Sequence, residues 1–143
     1  MVLDEITRTI ISLRLEKAHK CLDASELLLS AESYADSVNR SYYCIYHAVH
    51  VVLTTIGFSS SKHTGNIAEF RRVFIKTGVF SDVYSDIIGD AFKVRTKSDY
   101  DIHYVVSKLE VTTQFENAKM FLKAVETYIN TLVSGPEIEK EQK

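Results

Sequence analysis

Three stretches gather the side chains that could do chemistry. Residues 39–50 read NRSYYCIYHAVH. At about 100° per residue, with Arg40 at zero, Asp36 falls near −40°, Tyr43 near −60°, His47 near −20°, His50 near −80° and Thr54 near −40°, all on one stripe of a helix. An ordinary solvated face would carry Lys and Glu, whereas this one carries Asp, Arg, Tyr and His. Imidazole exchanges protons near neutral pH, and a guanidinium offers two parallel hydrogen bonds to phosphate oxygens. The stripe therefore suits a phosphate-bearing ligand. The alternative is structural: an Asp36–Arg40 pair at i, i+4, with the histidines packed under another helix or across a subunit interface.

The second stretch, SKHTGNIAEFRRVFIKTG, sets Lys62, His63, Arg71, Arg72 and Lys76 around a helix start, where free amides and the helix dipole favour anions. Read blandly, it is a solvated helix face. The third, FKVRTKSDYDIHYVV (92–106), holds Arg95, Asp99, Tyr100, Asp101, His103 and Tyr104. A zinc centre has less support. His47 and His50 stand three apart on one helix, but a third ligand would have to come from His63 or His103, and no HExxH pattern is present. No metal and no cofactor is expected.

Helices must position these residues. Apolar side chains at Ile11, Leu15, Ala18, Leu22 and Leu29, with Ser25 in the same rhythm, mark one face of a long helix over about 4–30. A second is predicted from Ala35 to Ile56, with Val38, Tyr42, Ile45, Tyr46, Val49, Val52, Leu53 and Ile56 inward and Gly57 ending it. A third runs from Thr64 to Thr77 and stops at Gly78. Ser81 can cap a fourth, from Asp82 to Lys97. Ser107-Lys108-Leu109-Glu110 has capping-box spacing, which starts a fifth helix near Ser107. Its stripe is Val111, Phe115, Ala118, Leu122, Val125, Ile129 and Leu132, before Gly135-Pro136 ends it. Nothing alternates with period two for long enough to build a sheet. The expected fold is all-α, an antiparallel bundle of about five helices in one domain (1–134) with a polar tail (135–143). Residues 98–106 then form the connection between the fourth and fifth helices.

Composition narrows the function. The chain has 143 residues and a formal net charge of −2, so it lacks the globally basic character of many nucleic-acid binders. Any phosphate site must be local, and between Lys62 and Lys108 eight Lys/Arg face six Asp/Glu. Cys21 and Cys44 lack CxxC spacing and read as small core residues. No apolar run is long enough to span a bilayer, and the start MVLDEITRTI does not read as a secretion signal, so the expected location is the cytoplasm with no membrane contact.

The ordered trio NRSYYCIYHAVHVVL, KHTGNIAEFRRVFIKTG and RTKSDYDIHY resembles the HEPN domain family, especially its small stand-alone prokaryotic members, over about residues 10–133. The resemblance implies a helical bundle that usually forms a homodimer. It also implies either nucleotide or RNA binding, or a metal-independent RNase, often the toxin of a pair with a nucleotidyltransferase-like protein. Catalytic members carry an arginine, four to six residues and a histidine. Here Arg95 is followed by seven residues, Thr96 to Ile102, before His103, and Tyr104 adjoins that histidine directly. Arg95 and His103 are thus the candidate catalytic pair in stretched form. Arg40, Tyr43, His47, His63, Asp99, Tyr100 and Tyr104 are the candidate binding residues. Three readings stay open: a binding module, a nuclease, and a non-catalytic structural or regulatory dimerisation module in which Asp99 merely clasps Arg95.

Overall fold

Asp4 sets the first helix going. Its carboxylate accepts from the Thr7 amide at 2.7 Å, an N-cap that ties up one of the free amides every helix start leaves. The computed structural model describes residues 3–141, with side chains described through residue 133. Five α-helices follow in order: α1 Glu5–Ser30, α2 Tyr34–Thr54, α3 His63–Phe70, α4 Asp82–Tyr100 and α5 Lys108–Glu141. No strand occurs among the described residues, so the all-α expectation stands.

The α1–α2 hairpin is the foundation. Its turn passes through Glu32 at φ 61°, and small residues then let the two helices approach closely. Ser25 Oγ pairs with Ser41 Oγ at 2.6 Å and donates to the Ser37 carbonyl at 3.1 Å, while Ser37 Oγ donates back to the Ser25 carbonyl at 2.8 Å. All three serines are buried, and each hydroxyl has a partner, as buried polar groups require. Cys21 and Cys44 are both buried and free, in keeping with a core role.

α2 lies at the centre and packs against α1, α3, α4 and α5. Val38 shares a cluster with Val111, and Cys44 faces the Ala118 carbonyl, so α2 and α5 run parallel. The His19–Glu126 pair bridges α1 to α5. At the other side of the core, Phe70, Phe74, Phe80, Tyr84, Phe121 and Tyr128 form edge-on and tilted ring pairs that lock α3, α4 and α5 together.

Several expected boundaries shift. α2 begins one residue earlier, at Tyr34, and ends at Thr54, two residues before Ile56, with Gly57 at φ +69° in the turn beyond. The third helix does not continue as α-helix to Thr77. After Phe70 it widens into a π-helical turn, Arg71–Ile75, before Gly78 at φ +81°. α4 runs three residues past Lys97, which places Asp99 and Tyr100 on its last turn instead of in a loop. The Arg95–Asp99 pair at i, i+4 supports that extra turn. The capping box forms as expected: the Glu110 amide donates to Ser107 Oγ at 3.1 Å and the Ser107 amide to Glu110 Oε1 at 3.2 Å. α5 continues to Glu141, past the stop expected at Gly135-Pro136. Proline's fixed φ is itself helical, but it lacks the N–H for the i−4 carbonyl and its ring crowds that carbonyl, so the helix passes it at a cost.

The serine junction is the sharpest test of this packing. Ser25→Val introduces branched bulk where two backbones meet and strands the Ser41 hydroxyl. Urea denaturation should show a loss of about 1–3 kcal/mol, whereas unchanged stability would mean that the hairpin is not closely packed at this point.

Candidate functional site

The polar stripe of α2 is not an outer face. Because α2 is central, His50 is 8 % exposed, and Tyr43 and His47 are half-buried. Buried polar side chains need partners, and α3 and α4 supply them. Tyr42 Oη lies 2.8 Å from His63 Nδ1. Asn66, fully buried at the start of α3, donates through Nδ2 to Tyr46 Oη at 2.8 Å and to the Ser60 carbonyl at 2.9 Å, and sits 3.2 Å from His50 Nε2. The Ser60 amide donates to its Oδ1 at 3.0 Å, so the loop before α3 is held by the same side chain. Sequence reading missed Asn66. Its only signal was an amide among apolar positions of a short helix.

Tyr43 is the hub. The Arg40 guanidinium carbon lies 5.1 Å from its ring centre and that of Arg95 lies 5.4 Å away, while Arg95 Nη2 donates to Tyr43 Oη at 3.3 Å. Arg95 also reaches the Tyr42 ring at 5.2 Å. His47 and His63 flank the same tyrosine, with ring centres 6.4 and 5.8 Å from it, and His63 stacks on Tyr46 at 3.8 Å. Guanidinium over an aromatic face is a favourable contact that keeps the N–H groups at its edge, where Arg40 directs Nε and Nη2 to Asn39 Oδ1. The structure thus joins Arg40, Tyr43, His47, His63 and Arg95, drawn from all three stretches that stood out in the sequence.

Few carboxylates oppose these cations. Arg95 Nε is 3.0 Å from Asp99 Oδ2, but its N–H is not aligned for a hydrogen bond, so the pairing is coulombic. The expected Asp36–Arg40 pair does not form. Asp36 accepts from Ser33 Oγ at 2.8 Å in the first turn of α2, and Arg40 turns to the Asn39 side chain and to Tyr43. Arg14 and Lys17, on the neighbouring face of α1, make no ion pair among the described residues. Arg14 Nε and His47 Nδ1 are buried without a hydrogen-bond partner.

The histidines answer to this field. Burial first, then Arg14, pushes His50 down to about 4. Burial followed by Lys17, Arg14 and Arg40 lowers His47, and burial followed by Arg95 lowers His63. All three are neutral at pH 7. Burial keeps the Tyr42 hydroxyl protonated far above its ordinary range, so it is the donor to His63 Nδ1 and leaves Nε2 of that ring as the protonated edge.

The remaining candidates sit apart. Tyr100 is exposed at the end of α4. His103 is exposed on the connection, where its backbone amide donates to Asp101 Oδ1 at 3.0 Å and its side chain has no hydrogen bond or ion pair among the described residues. Tyr104 donates its hydroxyl to the Glu110 carboxylate, and burial together with that carboxylate pushes it up to about 12. Its ring lies 5.9 Å from Lys97, so it braces the start of α5 against the last turn of α4. No group of histidine, cysteine and carboxylate side chains able to hold a metal occurs among the described residues.

The depressed histidines set a pH dependence. The unfolded chain takes up protons on them near pH 6.5 while the folded chain resists, so their stabilisation is whole above that pH and is lost as pH falls toward 4. His50 alone accounts for on the order of 3 kcal/mol. Chemical denaturation at pH 7 and pH 4.5 should show the loss, and His50→Gln should flatten it. An equally steep loss in that variant would place its origin in groups other than His50.

Comparison with known proteins bears on the fold as a whole. The family model described as HEPN domain matches residues 11–128. A UPF0332 protein of Thermotoga maritima is 34 % identical over 116 residues, covering 81 % of this chain and 88 % of the relative. A Methanocaldococcus jannaschii protein named "Putative toxin MJ0142" is 32 % identical over 115 residues, covering 80 % and 78 %. A second from that organism, "Putative toxin MJ0605", is 27 % identical over 132 residues, covering 92 % and 98 %. With a helical bundle, a family model spanning most of the chain and relatives matched over most of their own length, this chain belongs to the HEPN domain family.

Proposed function

We propose that the protein binds the phosphate of a nucleotide or of RNA at the Tyr43 hub. The observation that carries this reading is the imbalance of charge there: Arg40 and Arg95 both lie on one tyrosine ring, and among the described residues Asp99 is the one carboxylate paired with either. The neutral imidazoles of His47 and His63 beside those cations offer further donors without the repulsion that carboxylates would bring. Binding is favoured over cutting because Arg95 is drawn to Tyr42 and Tyr43, whereas His103 stands exposed on the connection. His103 is then not needed for affinity.

The proposed setting is the HEPN component of a toxin–antitoxin-like pair with a nucleotidyltransferase-like protein, in line with the toxin names of two relatives. A homodimer is supported by exposed apolar side chains around the α4–α5 connection. Ile102 is 91 % exposed, Val105 84 % and Leu109 77 %, a grouping that soluble surfaces seldom leave uncovered.

Calorimetry against mononucleotides and short RNA at low salt tests the binding reading. Arg95→Ala or Arg40→Ala should weaken affinity by about tenfold or more, and affinity should fall as salt rises. His103→Ala should bind as the parent does. Absence of binding at low salt ends the reading, and RNA cleavage that persists in a chelator but disappears in His103→Ala would replace it with a nuclease. Sedimentation tests the assembly: the parent should run as a dimer and Ile102→Glu/Val105→Glu as a monomer, while a monomeric parent would remove the dimer.

A further inference from the structure

A cavity of about 190 Å³ opens between α3 and α4. Ile67, Ala68, Ile88 and Phe92 form its apolar walls, and Thr64 and Arg71 bring the polar groups. An engineered apolar cavity of about 150 Å³ holds a benzene ring, so this one has room for a single planar ring system and little else. Gly89 adds no side chain to its wall. A Cβ built there would meet Arg71 Nη2 at 3.4 Å, narrowing the space beside the guanidinium.

Arg71 is held in place. Its Nε donates to Ser85 Oγ at 2.9 Å and its Nη2 to the Ser85 carbonyl at 3.1 Å, so a planar cation is fixed at the cavity wall with no carboxylate partner among the described residues. A fixed guanidinium plane stacks well on an aromatic ring. The Thr64 hydroxyl makes no hydrogen bond among the described residues and is available to a polar ring edge.

The cavity adjoins the cationic hub through Tyr42. The Phe92 ring lies 6.1 Å from the Tyr42 ring, and the Arg95 guanidinium lies 5.2 Å from the same ring. His63, bonded to the Tyr42 hydroxyl, immediately precedes Thr64. Along α4, Arg95 follows Phe92 by three residues on the same face, a rise of about 4.5 Å. That is the scale of one ribose between a base and its 5′-phosphate.

We propose that this cavity is a nucleobase subsite: the base packs against Phe92 beside Arg71 while the phosphate of the same nucleotide reaches Arg95 and His63. The subsite rests on the phosphate-binding reading above and adds to it the ring that accompanies the phosphate. The sequence held only fragments of it, a glycine within a helical pattern and Arg71 in a basic run.

Titrations of the full chain with adenosine, ribose 5-phosphate and AMP at low salt separate the two claims. AMP should bind at least about tenfold more tightly than ribose 5-phosphate, the scale of one stacked base. Ala68→Leu and Gly89→Leu, which fill the cavity from opposite walls, should erase that preference and leave ribose 5-phosphate binding unchanged, with circular dichroism confirming the fold. Equal affinity for AMP and ribose 5-phosphate in the parent overturns the subsite, as does a preference that survives in a folded cavity-filled variant. Adenosine binding that Ala68→Leu abolishes, without any binding of ribose 5-phosphate, keeps the subsite and overturns the phosphate reading. Binding of none of the three overturns both.

Discussion

The structure depends on burying a helix that is not wholly apolar. α2 is enclosed by four other helices, yet it carries Tyr42, Tyr43, Tyr46, His47 and His50. A buried hydroxyl or imidazole without a partner costs of the order of 1–3 kcal/mol, so α3 and α4 have to bring matching groups. Asn66 answers Tyr46 and His50, His63 answers Tyr42, and Arg95 answers Tyr43. The contacts that satisfy the central helix are therefore the contacts that assemble the candidate site. Stability and site geometry cannot be altered independently along this seam.

The same constraint explains the electrostatics. Burial among the tyrosine and histidine rings, and after it the field of Lys17, Arg14 and Arg40, keeps His47 neutral. An arriving phosphate would reverse that balance. Its charge would offset the cations and favour a proton on the nearest ring, so binding and histidine protonation should be linked.

Much of the architecture was legible because it follows from periodicity and caps. The stripe from Ile11 to Leu29, the glycines at positive φ and the Ser107–Glu110 box depend on neighbours in the chain, which a sequence displays directly. The convergence of Arg40, His47, His63 and Arg95 could be anticipated only from the resemblance and the unusual chemistry of the α2 stripe. What stayed hidden depends on tertiary competition. Asp36 had two potential partners, Arg40 and Ser33, and it accepts from the serine hydroxyl while Arg40 turns to Asn39 and Tyr43. The last turn of α4 is secured by the Arg95–Asp99 pair, which polar composition alone made look like loop. Asn66 and the cavity beside Gly89 arise where separate helices meet, and no local pattern records such a meeting.

If phosphate is received among the imidazoles of α2 and α3, those rings must register its arrival. Nuclear magnetic resonance of the histidine side chains, followed while AMP is added at low salt, addresses it ring by ring. The His47 and His63 signals should move together, and both rings should take up protons at higher pH in the bound state, while His103 stays unchanged. Signals that move only at His103, or at no histidine despite saturating nucleotide, would contradict it.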